Sequence, residues 1–334
     1  MTNSHWPVVG HEWAVQQLQQ ALYHQRARHA YLITGPASIG KTTLARALAM
    51  ALNCTNDNPP CGRCRSCQLI SRDVHPDISL VEAERVGGTL KIDQIRDLQR
   101  TLALRPYEAT HKIAILQRFH EANPATQNAL LKTLEEPAYN VVLILTAEYP
   151  DRLLPTIHSR CQILNLRLLP FEQVESALHT RFPNHNPQQL TLIARLAGGR
   201  IGWAIRMAED PNELEARESA LVTLEQVISN PQRVNRFQAA EALAKDKDNL
   251  LLNLEYWLTY WRDVLLLTSQ AAAPIINIDH QPMLETAARS LSPDSAHTAL
   301  QATREAITQL QQNVNTRLLV EVLLLSFPAL SSSS

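Results

Sequence analysis

The chain has 334 residues, of which 45% are hydrophobic and 19% are charged, and its formal net charge is −1. This length suffices for two or three domains with a sizeable core, and the composition is ordinary for a soluble protein. The nearly neutral charge excludes a chain that is basic throughout, so any contact with nucleic acid would be local or shared with partners.

Neither a targeting segment nor a membrane span is expected. The first six residues lack a basic start and an apolar core. Even the apolar run over residues 318–325 is short and contains Glu321. Five cysteines, four of them clustered, favour metal binding over disulfides. Together these features predict a cytoplasmic protein.

An amphipathic helix is the first predicted element. It covers residues 11–25, because Val15, Leu18 and Leu22 recur at helical spacing. A short apolar strand over residues 30–34 follows it, and a second helix is predicted from residue 44 to about residue 52.

Between that strand and that helix lies the pattern G-x4-G-K-T. Its glycines let successive backbone N–H groups point at phosphate oxygens, and the helix N-terminus adds further N–H groups. Lys41 is expected to reach the β- and γ-phosphates, and the Thr42 hydroxyl to bind Mg²⁺. A plain glycine-rich turn would not explain Lys-Thr at this place. The predicted phosphate site consists of Gly35, Pro36, Ala37, Ser38, Ile39, Gly40, Lys41, Thr42 and Thr43.

Four cysteines with the spacing C-x6-C-x2-C-x2-C come next, namely Cys54, Cys61, Cys64 and Cys67. A C-x2-C pair grips one ion from a tight turn, and four thiolates complete the tetrahedron that Zn²⁺ prefers. An iron–sulfur cluster is the rival metal, but the ferredoxin run needs a further Cys-Pro downstream. Free thiols remain a third reading. The favoured prediction is a structural zinc, because four thiolates leave no open position for catalysis.

Apolar strands and helices then alternate, which indicates a parallel α/β sheet. The continuous apolar runs at 112–116 and 141–145 are typical of strands buried on both faces. Further strands are predicted at 78–81 and 162–166, and helices at 92–104, 124–135 and 151–157.

From Pro170 onward the strand patterns stop, which predicts a domain boundary near residue 168 and helices beyond it. One of these helices carries Trp257, Tyr260 and Trp261. Such a cluster could stack on a base, but the favoured interpretation is that it forms core.

Several motifs together resemble the AAA+ clamp-loader subunits of bacterial DNA polymerase III, most closely those of the delta-prime type. The resemblance covers almost the whole chain and includes the phosphate loop and the four cysteines. The other matching stretches are Leu-Leu-Lys-Thr-Leu-Glu-Glu-Pro at 130–137, Ser-Arg-Cys at 159–161 and Asn-Thr-Arg-Leu-Leu at 315–319.

The resemblance implies a subunit of an ATP-dependent machine that loads a sliding clamp onto primed DNA. It implies an AAA+ domain at 1–168 with the zinc module at 54–67, a helical lid at 169–212 and an all-α collar at 213–334. Val9 and Gly10 match residues that contact adenine. Arg160 matches an arginine finger that reaches the ATP of a neighbouring subunit. The implied partners are gamma/tau and delta subunits, the clamp and primed DNA.

The chain also departs from the pattern of the family's motor subunits. Their Asp-Glu pair, which holds Mg²⁺ and polarises water, is replaced here by Gln117-Arg118. Gln supplies no anionic ligand, and Arg brings a positive charge where a base should be. Glu121 could substitute, but the favoured interpretation is a solvated charge. Hydrolysis in cis is therefore expected to be very weak.

Two further positions match the family pattern poorly. Thr146 lies near the polar position that ends its strand, and the family arginine that senses the γ-phosphate falls on Gly202. Arg200, two residues earlier, could replace that arginine.

These departures and the lack of a long C-terminal extension favour the delta-prime type, which can lose hydrolysis in cis and still contribute its arginine in trans. The alternative is a gamma/tau-type motor with its own ATPase activity. A P-loop kinase fits poorly, because residues 170–330 offer no substrate site and suit a collar.

Overall fold

The computed structural model describes residues 6–230, 232–310 and 314–330, without the side chain of Pro211. It divides into two compact units, residues 1–183 with 199–203 and residues 184–198 with 204–334. The outer ends of the predicted domains, residues 1–5 and 331–334, lie outside the described residues. The predicted separation of lid and collar at residue 212 stays a prediction.

A parallel five-stranded sheet forms the centre of the first unit, as the sequence predicted. Its spatial order is β2-β3-β4-β1-β5, and each neighbouring pair is parallel. The strands are β1 (Ala30–Thr34), β2 (Ile78–Val81), β3 (Lys112–Leu116), β4 (Val141–Ala147) and β5 (Gln162–Asn165).

Among the described residues, seven α-helices lie wholly within this unit. The predicted helix at 151–157 is instead a 3-10 turn, Pro150–Arg152, and a short α-helix that begins at Pro155. Proline lacks the N–H that a helix interior needs, so a continuous helix cannot pass through Pro155. The helices are α1 (Glu12–Tyr23), α2 (Lys41–Leu52), α3 (Arg65–Ser71), α4 (Ile92–Leu102), α5 (Pro124–Glu135), α6 (Pro155–His158) and α7 (Phe171–Arg181).

Helices cover both faces of the sheet, because side chains of a strand alternate between its faces. Tyr31 and Ile33 of β1 point into a core with Leu48 of α2, whereas Leu32 points into the opposite core with Leu130 of α5. All five residues are buried. Both faces are therefore closed, and functional groups must lie at the strand ends.

Every regular element that the structure describes beyond residue 165 is helical. None of the described helices combines the length and the apolar character that crossing a bilayer requires. The α-helices that follow α7 are α8 (Pro187–Leu196), α9 (Ile201–Glu209), α10 (Pro211–Ser229), α11 (Arg233–Leu243), α12 (Lys247–Thr268), α13 (Gln281–Ser290), α14 (Pro293–Leu310) and α15 (Thr316–Ser326).

The aromatic cluster on α12 is core, as the sequence analysis favoured. Trp257, Tyr260 and Trp261 are fully buried. The indole N–H of Trp257 donates to the carbonyl of Ala220 at 2.8 Å, and the ring of Phe327 lies 5.3 Å from that of Trp261. Because no face of these rings reaches solvent, they cannot stack on a base.

A buried histidine links α10 to the start of α13. The Nδ1 atom of His280 lies 3.2 Å from Glu225, and its Nε2 atom lies 2.8 Å from Glu218. The hydrogen bond to Glu225 raises the pKa of His280 to about 9, since it and the bond to Glu218 together outweigh burial, which lowers the pKa. The imidazolium is thus the form that the folded protein favours.

We expect this histidine to make the stability of the helical unit depend on pH. The pKa of His280 is about 9 in the folded protein and 6.5 in the unfolded chain. Its protonation therefore stabilises the folded state by about 3 kcal/mol below pH 6.5, and this stabilisation is lost as the pH rises through about 9. Urea midpoints of the normal protein should therefore fall between pH 7 and pH 10, whereas those of His280→Gln should fall much less. His297→Gln, on an exposed position of α14, should behave as the normal protein does. Parallel curves for His280→Gln and the normal protein would contradict the assignment.

Candidate nucleotide and metal sites

The loop between β1 and α2 has the backbone shape of a phosphate cradle. Gly35, Ser38 and Gly40 have φ angles of 141°, 58° and 104°. At Gly35 a Cβ atom would lie 2.5 Å from the carbonyl oxygen of Leu166, so only glycine fits there. Gly40 is the residue before α2, and the helix therefore begins directly at the loop.

Lys41 extends back into this loop from the first position of α2. Its Nζ atom donates to the carbonyls of Gly35 at 2.8 Å and Pro36 at 2.6 Å, and it lies 3.7 Å from a carboxylate oxygen of Glu148. Burial lowers the pKa of Lys41, while the Glu148 carboxylate opposes that shift. The predicted phosphate-binding cation is thus held inside the loop.

The segment before α1 is tied to the same loop. Gly10 has a φ of 69°, and a Cβ atom on it would lie 2.4 Å from the side chain of Leu169. The Nε2 atom of His11 lies 3.2 Å from the carbonyl oxygen of Ile39. The sequence analysis missed this contact of His11 with the loop. Val9 and Gly10, the predicted adenine contacts, directly precede His11 in the sequence.

Two polar residues lie beside the loop at the ends of neighbouring strands. Gln117 directly follows β3, and Thr146 is one of the last two residues of β4. The hydroxyl of Thr42 donates to Oε1 of Gln117 at 3.4 Å, and the backbone N–H of Arg118 donates to the Thr146 hydroxyl at 3.0 Å. Gln117 therefore contacts the predicted Mg²⁺ ligand with a neutral amide. An amide oxygen neither neutralises Mg²⁺ nor accepts a proton from water.

The side chain of Arg118 is directed into a partly buried ion-pair cluster. Its guanidinium lies 3.1 Å from Glu82 and 3.0 Å from Glu121. Glu121 also accepts the N–H of Gly87 at 2.8 Å, and only 6% of its side chain is exposed. Burial, the largest effect, raises the pKa of Glu121 even though Gly87 and Arg118 oppose that shift. The expectation that Glu121 is a solvated charge was wrong, because it closes a pair with Arg118.

Glu148 and His120 are polar residues near Lys41 that the sequence analysis missed. The backbone N–H of Glu148 donates to Nδ1 of His120 at 3.2 Å. Burial, and then the positive charges of Arg152, Lys41 and Arg118, lower the pKa of His120 to about 4. His120 is therefore neutral at pH 7. The sequence did offer one signal for Glu148, because this residue lies two positions after Thr146, at the end of a predicted strand.

Gly202 packs against the phosphate loop so closely that no side chain fits. Its N–H donates to the carbonyl of Ser38 at 2.7 Å, and a Cβ atom would lie 2.8 Å from that oxygen. An arginine is thus excluded at this position. Arg200, the suggested substitute, has its guanidinium carbon 5.7 Å from the ring centroid of Trp203.

Arg160 lies at the other edge of the sheet. It precedes β5 by two residues, and β5 runs parallel to β1, whose far end carries the phosphate loop. A strand of five residues separates the two edges by about 16 Å. Arg160 therefore cannot reach the phosphate loop of its own chain.

An open groove of about 1130 Å³ surrounds Arg160. It includes the first residues of β1 and β5, and exposed Arg26 and Arg28 also line it. The excess of guanidinium groups favours an anionic partner at this edge.

The four cysteine sulfurs meet in one cluster, within 4.8 Å of one another. The N–H groups of Arg63 and Cys64 donate to the sulfur of Cys61 at 3.4 Å and 3.2 Å. Burial raises the pKa of the Cys64 thiol, but several hydrogen bonds together lower it to about 6. Such a donor set fits a thiophilic cation.

This cysteine module packs on the end of α2. Cys64 caps α3, a helix that the sequence analysis did not predict, and Cys67 lies within it. Cys67 is fully buried in the same core as Leu48 and Met50 of α2.

Comparisons with known proteins place these features in a family. The model described as DNA polymerase III, delta subunit, matches residues 10–170, and the model of its C-terminal part matches residues 211–328. DNA polymerase III subunit delta' of Bacillus subtilis is 28% identical over 92% of this chain and 93% of its own length. These matches confirm the resemblance that the motifs predicted.

Other relatives align over shorter parts. Subunit delta' of Pseudomonas aeruginosa is 42% identical over 43% of this chain and 46% of its own length. Subunit tau of Escherichia coli K12 is 35% identical over 60% of this chain. The alignment spans 32% of that tau subunit, so the chain covers only about a third of it.

The Arg118 cluster predicts that restoring an acidic pair would fail. Arg118→Glu would place a third carboxylate beside Glu82 and the buried Glu121, which should lower the free energy of unfolding by about 3 kcal/mol or more. Gln117→Asp should cost much less, because the half-buried amide of Gln117 contacts the Thr42 hydroxyl and not a carboxylate. Urea unfolding of the two variants tests this, and equal stability of both would show that Arg118 is not needed to neutralise the cluster.

Proposed function

The chain belongs to the DNA polymerase III delta-subunit family, and from this membership we propose that it is a delta-prime-type subunit of a clamp loader. In this proposal it helps a cytoplasmic hetero-oligomer load a sliding clamp onto primed DNA at the expense of ATP. Its partners are gamma/tau and delta subunits, and it reaches the clamp and the DNA through the assembly.

The position of Arg160 carries this proposal. Its guanidinium faces an open groove at the edge of the sheet opposite to the phosphate loop. A group in that place can act only on a nucleotide that another subunit holds. A guanidinium supplied in this way stabilises the charge that develops as the γ-phosphate is transferred.

The phosphate loop itself we propose to bind ATP with Mg²⁺ but to hydrolyse it very weakly. Gly35 to Thr43 would hold the phosphates, with Lys41 and Thr42 in their predicted roles and Val9 and Gly10 near the adenine. Gln117 and the paired Arg118 support this, since neither can activate water in the way an unpaired carboxylate does.

The remaining parts of the chain serve assembly in this proposal. Residues 1–168 form the AAA+ domain, 169–212 the lid and 213–334 the collar. Cys54, Cys61, Cys64 and Cys67 hold a structural Zn²⁺, which crosslinks the module without taking part in catalysis.

A gamma/tau-type motor is the second candidate function. The identity of 35% to a tau subunit and the complete G-x4-G-K-T pattern favour it. Turnover of ATP by the isolated chain, abolished in Lys41→Ala, would decide for the motor.

We expect purified protein to contain one Zn²⁺ per chain. Removal of the ion by a chelator should lower the thermal midpoint by several degrees, because a structural zinc contributes directly to folding free energy. Cys67→Ser should lose the metal, whereas Cys161→Ser, outside the cluster, should keep it. Elemental analysis that finds iron or no metal would contradict the zinc site.

We expect Arg160→Ala to reduce ATP hydrolysis by the reconstituted loader in the presence of clamp and primed DNA. The loss at the affected site should be about a thousandfold, although total turnover falls less if other sites continue. Arg289→Ala, which removes an exposed arginine from α13, is the matched control. Equal turnover by both variants would overturn the role of Arg160 in trans.

A further inference from the structure

The guanidinium of Arg160 is held in place by groups from two helices. Its Nη2 atom donates to Oε1 of Glu135, the last residue of α5, at 2.6 Å. Its Nη1 atom donates to the carbonyl of Thr156 in α6 at 3.0 Å and to the hydroxyl of Ser159 at 3.2 Å. These contacts fix the plane of the group, which is otherwise on a long and flexible side chain.

Two of the five guanidinium N–H groups remain available after these contacts. Arginine has one N–H on Nε and two on each terminal nitrogen. Among the described residues, acceptors occupy both donors of Nη1 and one of Nη2. The Nε donor and one Nη2 donor are thus left for an anionic partner, and guanidinium N–H groups form strong hydrogen bonds to phosphate oxygens.

Glu135 is itself held at a defined place. The preceding residue, Leu134, is buried, and its carbonyl lies 3.1 Å from Nε2 of His29, which directly precedes β1. The end of α5 is thereby attached to the start of β1. The backbone that carries Glu135 is therefore anchored at the sheet edge where Arg160 lies.

The charge of the groove remains positive with this ion pair in place. Among the described residues that line it, Glu135 is the one carboxylate, against Arg26, Arg28 and Arg160. Glu135 thus orders one guanidinium without neutralising the groove. An anionic group of a partner is still attracted to it.

We propose that Glu135 is a positioning residue that presents Arg160 to the phosphate oxygens of a nucleotide held by a neighbouring subunit. This inference rests on the proposed function, because it assigns Glu135 a part in the same contact in trans. Glu135 touches neither nucleotide nor water in this role. It acts by holding Arg160 in the geometry that the transfer of the γ-phosphate requires.

The test compares Glu135→Ala and Glu135→Gln with Arg160→Ala in the reconstituted loader. For Glu135→Ala we expect kcat for ATP to fall about tenfold with little change in KM, because orientation rather than binding is lost. Glu135→Gln keeps an acceptor oxygen without the charge and should lie between Glu135→Ala and the normal protein. Glu285→Ala is the matched control, since Glu285 forms a similar exposed pair with Arg289 far along the chain.

A second measurement uses the isolated chain and does not depend on catalysis. Phenylglyoxal reacts with free guanidinium groups, and mass spectrometry reports its adducts residue by residue. The rate at Arg160 should rise severalfold in Glu135→Ala but stay unchanged in Glu285→Ala. Thermal midpoints close to that of the normal protein would show that Glu135→Ala remains folded.

The outcomes separate the two proposals. If Arg160→Ala loses ATP turnover as expected while Glu135→Ala keeps it unchanged, the positioning role of Glu135 is overturned. The proposed role of Arg160 in trans then still stands. Faster turnover in Glu135→Ala also overturns the positioning role, because the carboxylate would then compete with phosphate. Unchanged turnover in Arg160→Ala overturns the proposed function and this inference with it.

Discussion

The parallel pairing of β1 with β4 and β5 is the constraint on which the rest of the first unit depends. All three strands run in one direction, so their carboxyl ends share one edge and their amino ends share the other. Because β3 also pairs in parallel with β4, the phosphate loop, Gln117 and Thr146 meet at the first edge, while Arg160 and Glu135 meet at the second. A single sheet thus carries two chemically different surfaces, one that can hold a phosphate chain and one that can approach the phosphate chain of another molecule.

At the first edge, the positions where the family resemblance places hydrolytic groups hold residues that stabilise the fold. Arg118 connects Glu82, at the end of β2, with Glu121, and Glu121 in turn binds the N–H of Gly87. The N–H of Gly202 donates to the carbonyl of Ser38, at the position where the resemblance places a phosphate-sensing arginine. The fold can therefore keep the backbone cradle of the phosphate loop while the neighbouring positions carry residues that stabilise the structure.

Local patterns in the sequence were sufficient to predict the sheet, the phosphate loop, the cysteine cluster and the aromatic core. Each depends on residues close in sequence or on a regular period. The orientation of Arg118 and the burial of Glu121 were not predictable in this way, because Arg118 meets Glu82 across 36 positions. Glu148 and His120 were missed for the same reason, as only the folded strand ends bring them to Lys41. The helix α3 was missed because it is short and its cap is a cysteine, Cys64, rather than a common capping residue.

Helix α2 begins at the phosphate loop with Lys41, and its last turns pack against Cys67 in one continuous core. Twelve residues make this helix about 18 Å long, so the two features lie at opposite ends of one rigid rod. The four cysteines and the residues of the phosphate loop therefore share one helix as their common support.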